Sequence, residues 1–295
     1  MAPFFIALTV QAALSVTTVQ PPVTRLFPDT GVQVPLQGLY LRHRLHLQGR
    51  ADKPCVFSNF VSSLDGRIAT ASDTSTTRTV PPAIANLRDW RLYQELAAQA
   101  DVLVTSGRYF RQGLVGEQQD RLPVSRDPAY ADIHAWREAQ GLRAQPDVAI
   151  LSGSLDIPLE TLEPYRQRRI IVITGAAADP ADADRLQDAG IEVVRAGHGT
   201  QVDGSEIISK LSALGYRSIY AVAGPAVFRT LLSANRLDRL YLTITQQLLG
   251  GDEFDTLTRG AAFTPALGMS LVSLYHDPHA PPGAGQLLAV FEPRP

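Results

Sequence analysis

One stretch restricts the fold of this chain more than any other: Cys55-Val56-Phe57-Ser58-Asn59-Phe60-Val61-Ser62, followed by Ser63-Leu64-Asp65-Gly66-Arg67-Ile68-Ala69. Its first half is a β-prone run rising from Pro54. A strand interior tolerates Asp-Gly poorly, because glycine loses backbone entropy there and aspartate competes for its own backbone amides. The strand therefore ends near Ser62, and Asp65-Gly66 forms an exposed turn at its carboxyl end. In an open α/β sheet that end is where ligands sit.

Downstream, short apolar strands alternate with amphipathic helices. Ser72 to Thr79 is rich in hydroxyls and reads as a mobile loop. Val80-Pro81-Pro82 opens a helix, since proline suits a first turn, and its apolar face runs from Ile84 to about Ala100. Asp101 to Thr105 is a buried strand ending at Ser106-Gly107-Arg108, and Tyr130 to Gln140 is a short helix. Strands follow at Val148–Leu151, Ile170–Ile173, Ile191–Val194, Ser218–Val222 and Leu240–Ile244, with helices at Asp179–Ala189, Val202–Leu214 and after Pro225. Two late strands, near Met269–Tyr275 and Leu287–Phe291, close the chain. This order argues for a mainly parallel α/β sheet with an antiparallel end.

Three strand–helix joints carry glycine: Ser106-Gly107, Thr174-Gly175 and Ala223-Gly224-Pro225. Glycine lets backbone amides approach a phosphate or a nicotinamide ring, and helix N-termini favour anions. With Gly250-Gly251, the three joints predict a nucleotide cleft along one sheet edge.

The 295 residues suffice for a large core, and a net charge of −2 provides no whole-chain field for nucleic acid or an anionic membrane. A substrate phosphate would have to be met locally. A single cysteine, Cys55, excludes an intramolecular disulfide and a cysteine-rich zinc site, and inside an apolar strand it reads as a buried small hydrophobe. Residues 1–24 read as a disordered leader or as sequence translated from an early start: the stretch to Leu14 is apolar, but the first basic residue is Arg25. Residues 25–50 read as an arm packed on the main body, residues 51–295, with Leu41, Leu45 and Leu47 on a short helix. His43 and His46 are three apart and without a third ligand nearby, so they read as a solvated basic face rather than a metal site.

The run Asn59 to Ala69 resembles the opening motif of the riboflavin-pathway pyrimidine reductases, the C-terminal domain of the bifunctional deaminase–reductase. Ala100 to Val104, Ala223-Gly224-Pro225 with Leu231-Leu232, Leu237 to Thr243 and Leu248-Leu249-Gly250-Gly251 are similar, in order, to the family's later motifs. The chain departs from the pattern where the family has lysine (here Asn59), Asp-Asp-Pro (here Arg111-Gln112-Gly113) and glutamate before the glycine loop (here Val222). The zinc deaminase signature is absent.

The resemblance implies a dihydrofolate-reductase-like α/β/α sandwich and NADPH-dependent hydride transfer to a small-molecule acceptor. It also implies a cytoplasmic homodimer that engages neither nucleic acid nor membrane. In the riboflavin step the acceptor is a ring-opened ribose carbon; a carbonyl, imine or pterin-like acceptor, or cofactor binding without catalysis, is the alternative. On that basis Asp65 is the leading polar group of the cleft, handling a proton or bonding the substrate. By spacing alone it could instead close its own turn on the amides of Arg67 or Ile68. Strand alternation puts Asn59 and Ser63 on one side, making them its candidate companions. Gly66, Ser106, Gly107, Thr174, Gly175, Ala223, Gly224, Pro225, Gly250 and Gly251 are the expected cofactor-side backbone, and Arg108 and Arg111 the expected phosphate partners.

Overall fold

A computed structural model describes residues 20–72, 75–116, 121–280 and 283–294. In chain order the elements are β1 (Val23–Phe27), β2 (Val32–Val34), β3 (Cys55–Ser62), β4 (Ala69–Ser72), β5 (Ser75–Thr79), α1 (Leu87–Ala97), β6 (Val102–Ser106) and α2 (Gly107–Leu114). Then come α3 (Ala131–Ala139), β7 (Asp147–Leu151), β8 (Ile170–Thr174), α4 (Pro180–Asp188), β9 (Glu192–Arg195), α5 (Gly204–Ala213) and β10 (Ser218–Ala221). The last are α6 (Pro225–Ser233), β11 (Arg239–Thr245), β12 (Phe254–Asp255), β13 (Met269–Asp277) and β14 (Gln286–Pro293).

Eleven strands form one sheet in the order β2-β1-β13-β14-β11-β3-β10-β6-β7-β8-β9. From β11 to β9 every pairing is parallel, and from β14 outward every pairing is antiparallel. The central parallel strands are buried on both faces. One face packs Phe57, Leu103 and Val148 against Leu92 and Leu96 of α1, Phe110 of α2 and Ile133 of α3. The other packs Val56, Val104 and Ile219 against Ile207 and Leu211 of α5 and Val227 and Leu231 of α6. The expected three-layer sandwich with a mainly parallel sheet and an antiparallel end is therefore the observed architecture.

Four local expectations need correction. Ser72–Thr79 is not a loop: β4 and β5 pair antiparallel, and with β12 they form a separate three-stranded sheet, residues 73 and 74 lying outside the described ones. Val80 does not begin α1, because Pro81 starts a turn that takes Ile84 N–H and Ala85 N–H, and Asn86 then caps the helix by accepting from the amides of Arg88 (3.1 Å) and Asp89 (2.9 Å). The arm does more than pack on the body. Val23 and Thr24, placed with the leader by sequence, belong to β1, which adds to the sheet through β13; residues 1–19 lie outside the described ones.

The fourth concerns the two histidines, which are half-buried while Arg42 and Arg44 take the solvent. His43 Nδ1 lies 2.7 Å from Tyr241 Oη, and burial pushes its pKa down to about 4; His46 meets Gln140 Oε1 at 3.2 Å and the edge of Trp136. Leu41–His43 and Leu45–Leu47 are separate 3-10 turns. They are docked on α1 by Glu95, which accepts from the amides of Gly38 (2.6 Å) and Tyr40 (3.0 Å), and by Gln99, which accepts from Leu45 (2.9 Å). Cys55 is buried and its thiol pushed up to about 12, as an inert core residue requires.

Candidate active site

The strand order places a reversal at β3. The chain runs outward through β6, β7, β8 and β9, then returns to insert β10 between β3 and β6 and crosses to lay β11 on the far side of β3. Loops leaving β3, β10 and β11 therefore meet at the carboxyl end of the sheet, the position where such folds bind ligands.

The loops after β3 and β11 are sutured together. Leu64 N–H donates to Gln247 O at 2.7 Å. Asp65 accepts from the amides of Gly250 (2.9 Å) and Leu249 (3.2 Å), from Ser63 Oγ, and from Arg67 Nη1 at 2.6 Å. Arg67 also donates to Gly251 O at 3.0 Å and lies 4.3 Å over the Phe254 ring. The hydrogen bonds from Ser63, Gly250 and Leu249, with the Arg67 charge, hold the Asp65 carboxyl down at about 2. It is an ionised acceptor at neutral pH. Gly66, Gly250 and Gly251 have φ of +80°, +66° and +85°, so the turn geometry itself calls for glycine. Ser63 Oγ also takes the Arg67 amide at 3.0 Å, which commits this side chain to the turn. Asn59 instead accepts from Tyr220 Oη at 2.5 Å. Sequence alternation paired Asn59 with Ser63; in the structure the two side chains take different partners, Tyr220 and the Asp65-Gly66 turn.

The glycine joints fall into two kinds. Ser106 and Gly224 occupy the N-cap positions of α2 and α6 and neither helix start receives a side-chain cap, whereas Asp179 and Asp203 cap α4 and α5. A Cβ at Gly224 would meet nothing within 4 Å. With Pro225 lacking an N–H, the first turn of α6 offers the amides of Ala226 and Val227 without a side-chain cap, behind the open space at Gly224, an arrangement that can accept a phosphate. Thr174-Gly175 differs. Thr174 is fully buried, and a Cβ at Gly175 would lie 2.3 Å from Gly199 O and 2.6 Å from Thr200 C. The chain itself roofs this joint, and packing accounts for the glycine. Gly107 is buried against Ser152, Arg108 is exposed on the first turn of α2, and Arg111 donates to Asp156 O at 2.8 Å.

A second set of groups enters from α1. On the sheet face toward this helix, Phe57, Tyr220 and Tyr241 are buried, but nearer the strand ends Asn59, Val61 and Val222 keep part of their surface open. Opposite them stand Asp89, Trp90 and Tyr93, with Trp90 and Tyr93 ring centroids 5.0 Å apart and Tyr93 and Tyr220 5.9 Å apart. Asp89 accepts from Thr243 Oγ1 at 2.5 Å. It keeps some accessible surface, yet the surrounding protein desolvates it, and that burial pushes its carboxyl up to about 6 while Thr243 works in the opposite direction. Sequence reading missed Asp89. Its one available signal was an acid in the first turn of a helix, which a helix dipole explains equally well.

Comparison with family models adds the deciding observation: residues 54–279 match the RibD C-terminal domain. The chain belongs to the RibD C-terminal domain family. No curated protein sequence matches the chain. Among solved structures, a pyrimidine reductase-like protein from Corynebacterium diphtheriae is similar at a TM-score of 0.62 and 22% identity, over 83% of this chain and 93% of that one. RibD of Acinetobacter baumannii is similar at 0.54 and 17%, over 82% of this chain and 58% of that one, so the chain spans little more than half of that protein. The riboflavin biosynthesis reductase of Saccharomyces cerevisiae is similar at 0.53 and 14%, over 87% and 99%. At these identities the likeness is one of fold. Within the RibD C-terminal domain frame, the matched region holds both the sutured loops and Asp89, while Tyr40 and His43, which pack on Tyr241, precede it. Among the described residues no helix is long and apolar enough to cross a membrane.

Proposed function

We propose that this chain is an NADPH-dependent reductase of the riboflavin type, transferring hydride to a pyrimidine-linked acceptor at the carboxyl end of the sheet. Family membership supports the oxidoreductase class, and the uncapped N-termini of α2 at Ser106 and of α6 at Gly224 carry the cofactor reading. Those amides, with Arg108, would hold the cofactor's phosphates; Ala223, Gly224 and Pro225 would let its backbone-hugging portion approach. The cofactor supplies the hydride, and the protein orients it, excludes water and handles one proton. Asp65 is held ionised and serves as the latch that fixes the Gly250-Gly251 loop. Asp89 is the group whose ionisation lies near working pH, and we assign it the proton or the hydrogen bond to the acceptor.

A second reading concerns the acceptor alone. Arg67 pairs with Asp65, Arg78 with Glu253 and Asp255, Arg259 with Asp255, and Arg111 lies 3.9 Å from Asp156. These arginines at the carboxyl edge are already engaged by carboxylates, which favours an acceptor without a phosphate, such as a small carbonyl, imine or pterin-like compound. One experiment tests both readings. NADPH at saturation is expected to raise the melting temperature by several degrees, and NADPH consumption is then followed with the phosphoribosylaminouracil and with an unphosphorylated acceptor panel. A folded protein whose melting temperature ignores NADPH would overturn the cofactor reading. Turnover restricted to the unphosphorylated panel would overturn the riboflavin step.

A further inference from the structure

At the opposite end of the parallel strands, before β7 and β8 begin, lies a cavity of about 360 Å³ that the reductase reading does not use. Arg126, Arg143 and Arg169 line it, with His134, Gln167 and Asp147. Three guanidinium groups thus face one carboxylate. That carboxylate is already bound: Asp147 accepts from Arg143 Nη1 at 2.7 Å, Tyr216 Oη at 2.8 Å and the Arg169 amide at 3.2 Å. Arg169 also pairs with Glu192 at 2.6 Å on its outer side. Among the described residues Arg126 pairs with no carboxylate, and it donates to the neutral amide oxygen of Gln167. His134 Nε2 donates to Ser125 O at 2.8 Å.

Two further arginines stand behind the lining, and among the described residues their hydrogen-bond acceptors are carbonyl oxygens. Arg168 donates to Pro123 O (2.6 Å) and Leu122 O (3.0 Å). Arg137 donates to Ala98 O (2.6 Å), Ala100 O (3.1 Å) and Arg143 O (2.6 Å). Burial pushes both down to about 10; the Asp101 and Asp147 charges oppose this at Arg137, where Arg168 adds to it, and Tyr165 opposes it at Arg168, where Arg126 adds to it. Carbonyl partners satisfy hydrogen bonds without cancelling charge, so among the described residues the arginines at this end outnumber the carboxylates that face them.

We infer that this arginine-lined cavity is a binding site for a compact phosphate-bearing anion, separate from the carboxyl-end cleft. A planar guanidinium fork matches a phosphate's oxygens in a way a lysine does not, and the volume lies at the small end of the range for small-molecule sites. The β7 strand between the two sites is five residues, roughly 17 Å of chain, so one small ligand cannot fill both.

The test is calorimetric titration of the whole protein with inorganic pyrophosphate, and with citrate, at matched ionic strength. Pyrophosphate is expected to bind at submillimolar concentration and at least about tenfold more tightly than citrate. Arg126→Gln is expected to weaken pyrophosphate about tenfold, and Arg126→Gln/Arg143→Gln to abolish it, with the unliganded melting temperature of the single variant unchanged because Arg126 is exposed. Arg44→Gln, at an exposed arginine of the N-terminal arm, is expected to bind as the native chain does. The inference is overturned if pyrophosphate does not bind, or if citrate binds as well as pyrophosphate. It is equally overturned if the double variant still binds, which would place the ion at the helix N-termini of the cleft. An equal loss in Arg44→Gln would reduce the effect to general surface charge.

Discussion

The two walls of the candidate cleft are built on opposite logics. The loop wall, residues 63–67 with 247–251, spends its polar groups on itself: Asp65 has four partners and Arg67 spans from Asp65 to Gly251. The helix wall does the reverse with Asp89, giving it a single hydroxyl partner and a desolvated position where its charge is costly. A group saturated with donors is fixed in one protonation state. A group short of donors is free to change state. The residues that identify the family therefore build the scaffold, and the residue suited to chemistry sits on an element whose sequence looks ordinary.

The sharpest way to break that contrast is to neutralise each acid separately. Asp89→Asn is expected to lower kcat about a hundred- to ten-thousandfold, the range of a lost general acid, in steady-state NADPH oxidation. In the native enzyme the rate should fall as pH rises through about 6, where Asp89 loses its proton, and the variant should lack that limb. Stability moves in the same direction. A carboxyl whose folded pKa is raised favours folding when protonated, so the native chain loses stability as pH climbs from about 4 to 6. Asp89→Asn should accordingly raise the melting temperature at pH 8 and leave it nearly unchanged at pH 4. If the variant keeps native turnover, the helix wall is structural and the contrast fails.

The helix wall also depends on what holds α1 from behind, which supplies the next test. Glu95 is fully buried, paired with Arg91 at 3.0 Å, and binds the amides of Gly38 and Tyr40. Glu95→Ala strands those donors and leaves Arg91 with Asp132, 2.5 Å away on the surface side. A cost of about 3 kcal/mol in urea unfolding is expected, at the low end for breaking a buried pair because Asp132 remains. Limited proteolysis should cut first within residues 36–48.

Asp65→Asn completes the comparison with a smaller effect. An amide can still accept one loop hydrogen bond but not the set, so NADPH affinity should weaken about tenfold while kcat changes less than about threefold, separable by titration and turnover. Loss of kcat alone, with affinity intact, would move Asp65 from latch to chemistry.

How much of this was readable beforehand follows from the same contrast. Strand-turn chemistry is local, so the end of β3 at Ser62, the Asp65-Gly66 turn and the succession of strands and helices along the chain could be inferred from neighbouring residues. The glycine joints were legible as joints but not as sites, because Gly175 and Gly224 differ in what a distant loop places over them: Gly199 and Thr200 roof one, and no described residue comes within 4 Å of a Cβ at the other. Asp89 and Thr243 are 154 residues apart, and no local pattern marks their meeting. The same distance effect hid β1, whose partner β13 lies at the far end of the chain. The double proline at residues 81 and 82 misled in a different way. Proline fits a first helical turn, but here it closes a tight turn, and Asn86, a better cap, starts the helix instead.

The smallest effect tests whether the floor between the two walls belongs to the site. Tyr220 is buried beneath Tyr93, and its hydroxyl donates to Asn59 Oδ1 at 2.5 Å. Tyr220→Phe removes that donor without changing the ring stack on Phe57, whose centroid is 4.9 Å away. The stability cost is expected to be about 1 kcal/mol, the ordinary value for one buried hydrogen bond. The informative readout is KM for the acceptor. Asn59 keeps part of its surface open and is anchored on its oxygen, which aims its amide N–H groups away from Tyr220. If those groups hold the acceptor, releasing the anchor should raise KM about threefold to tenfold with kcat little changed. If KM stays put while stability falls, Asn59 is a packing residue, and recognition rests on Asp89 and the aromatic pair Trp90 and Tyr93.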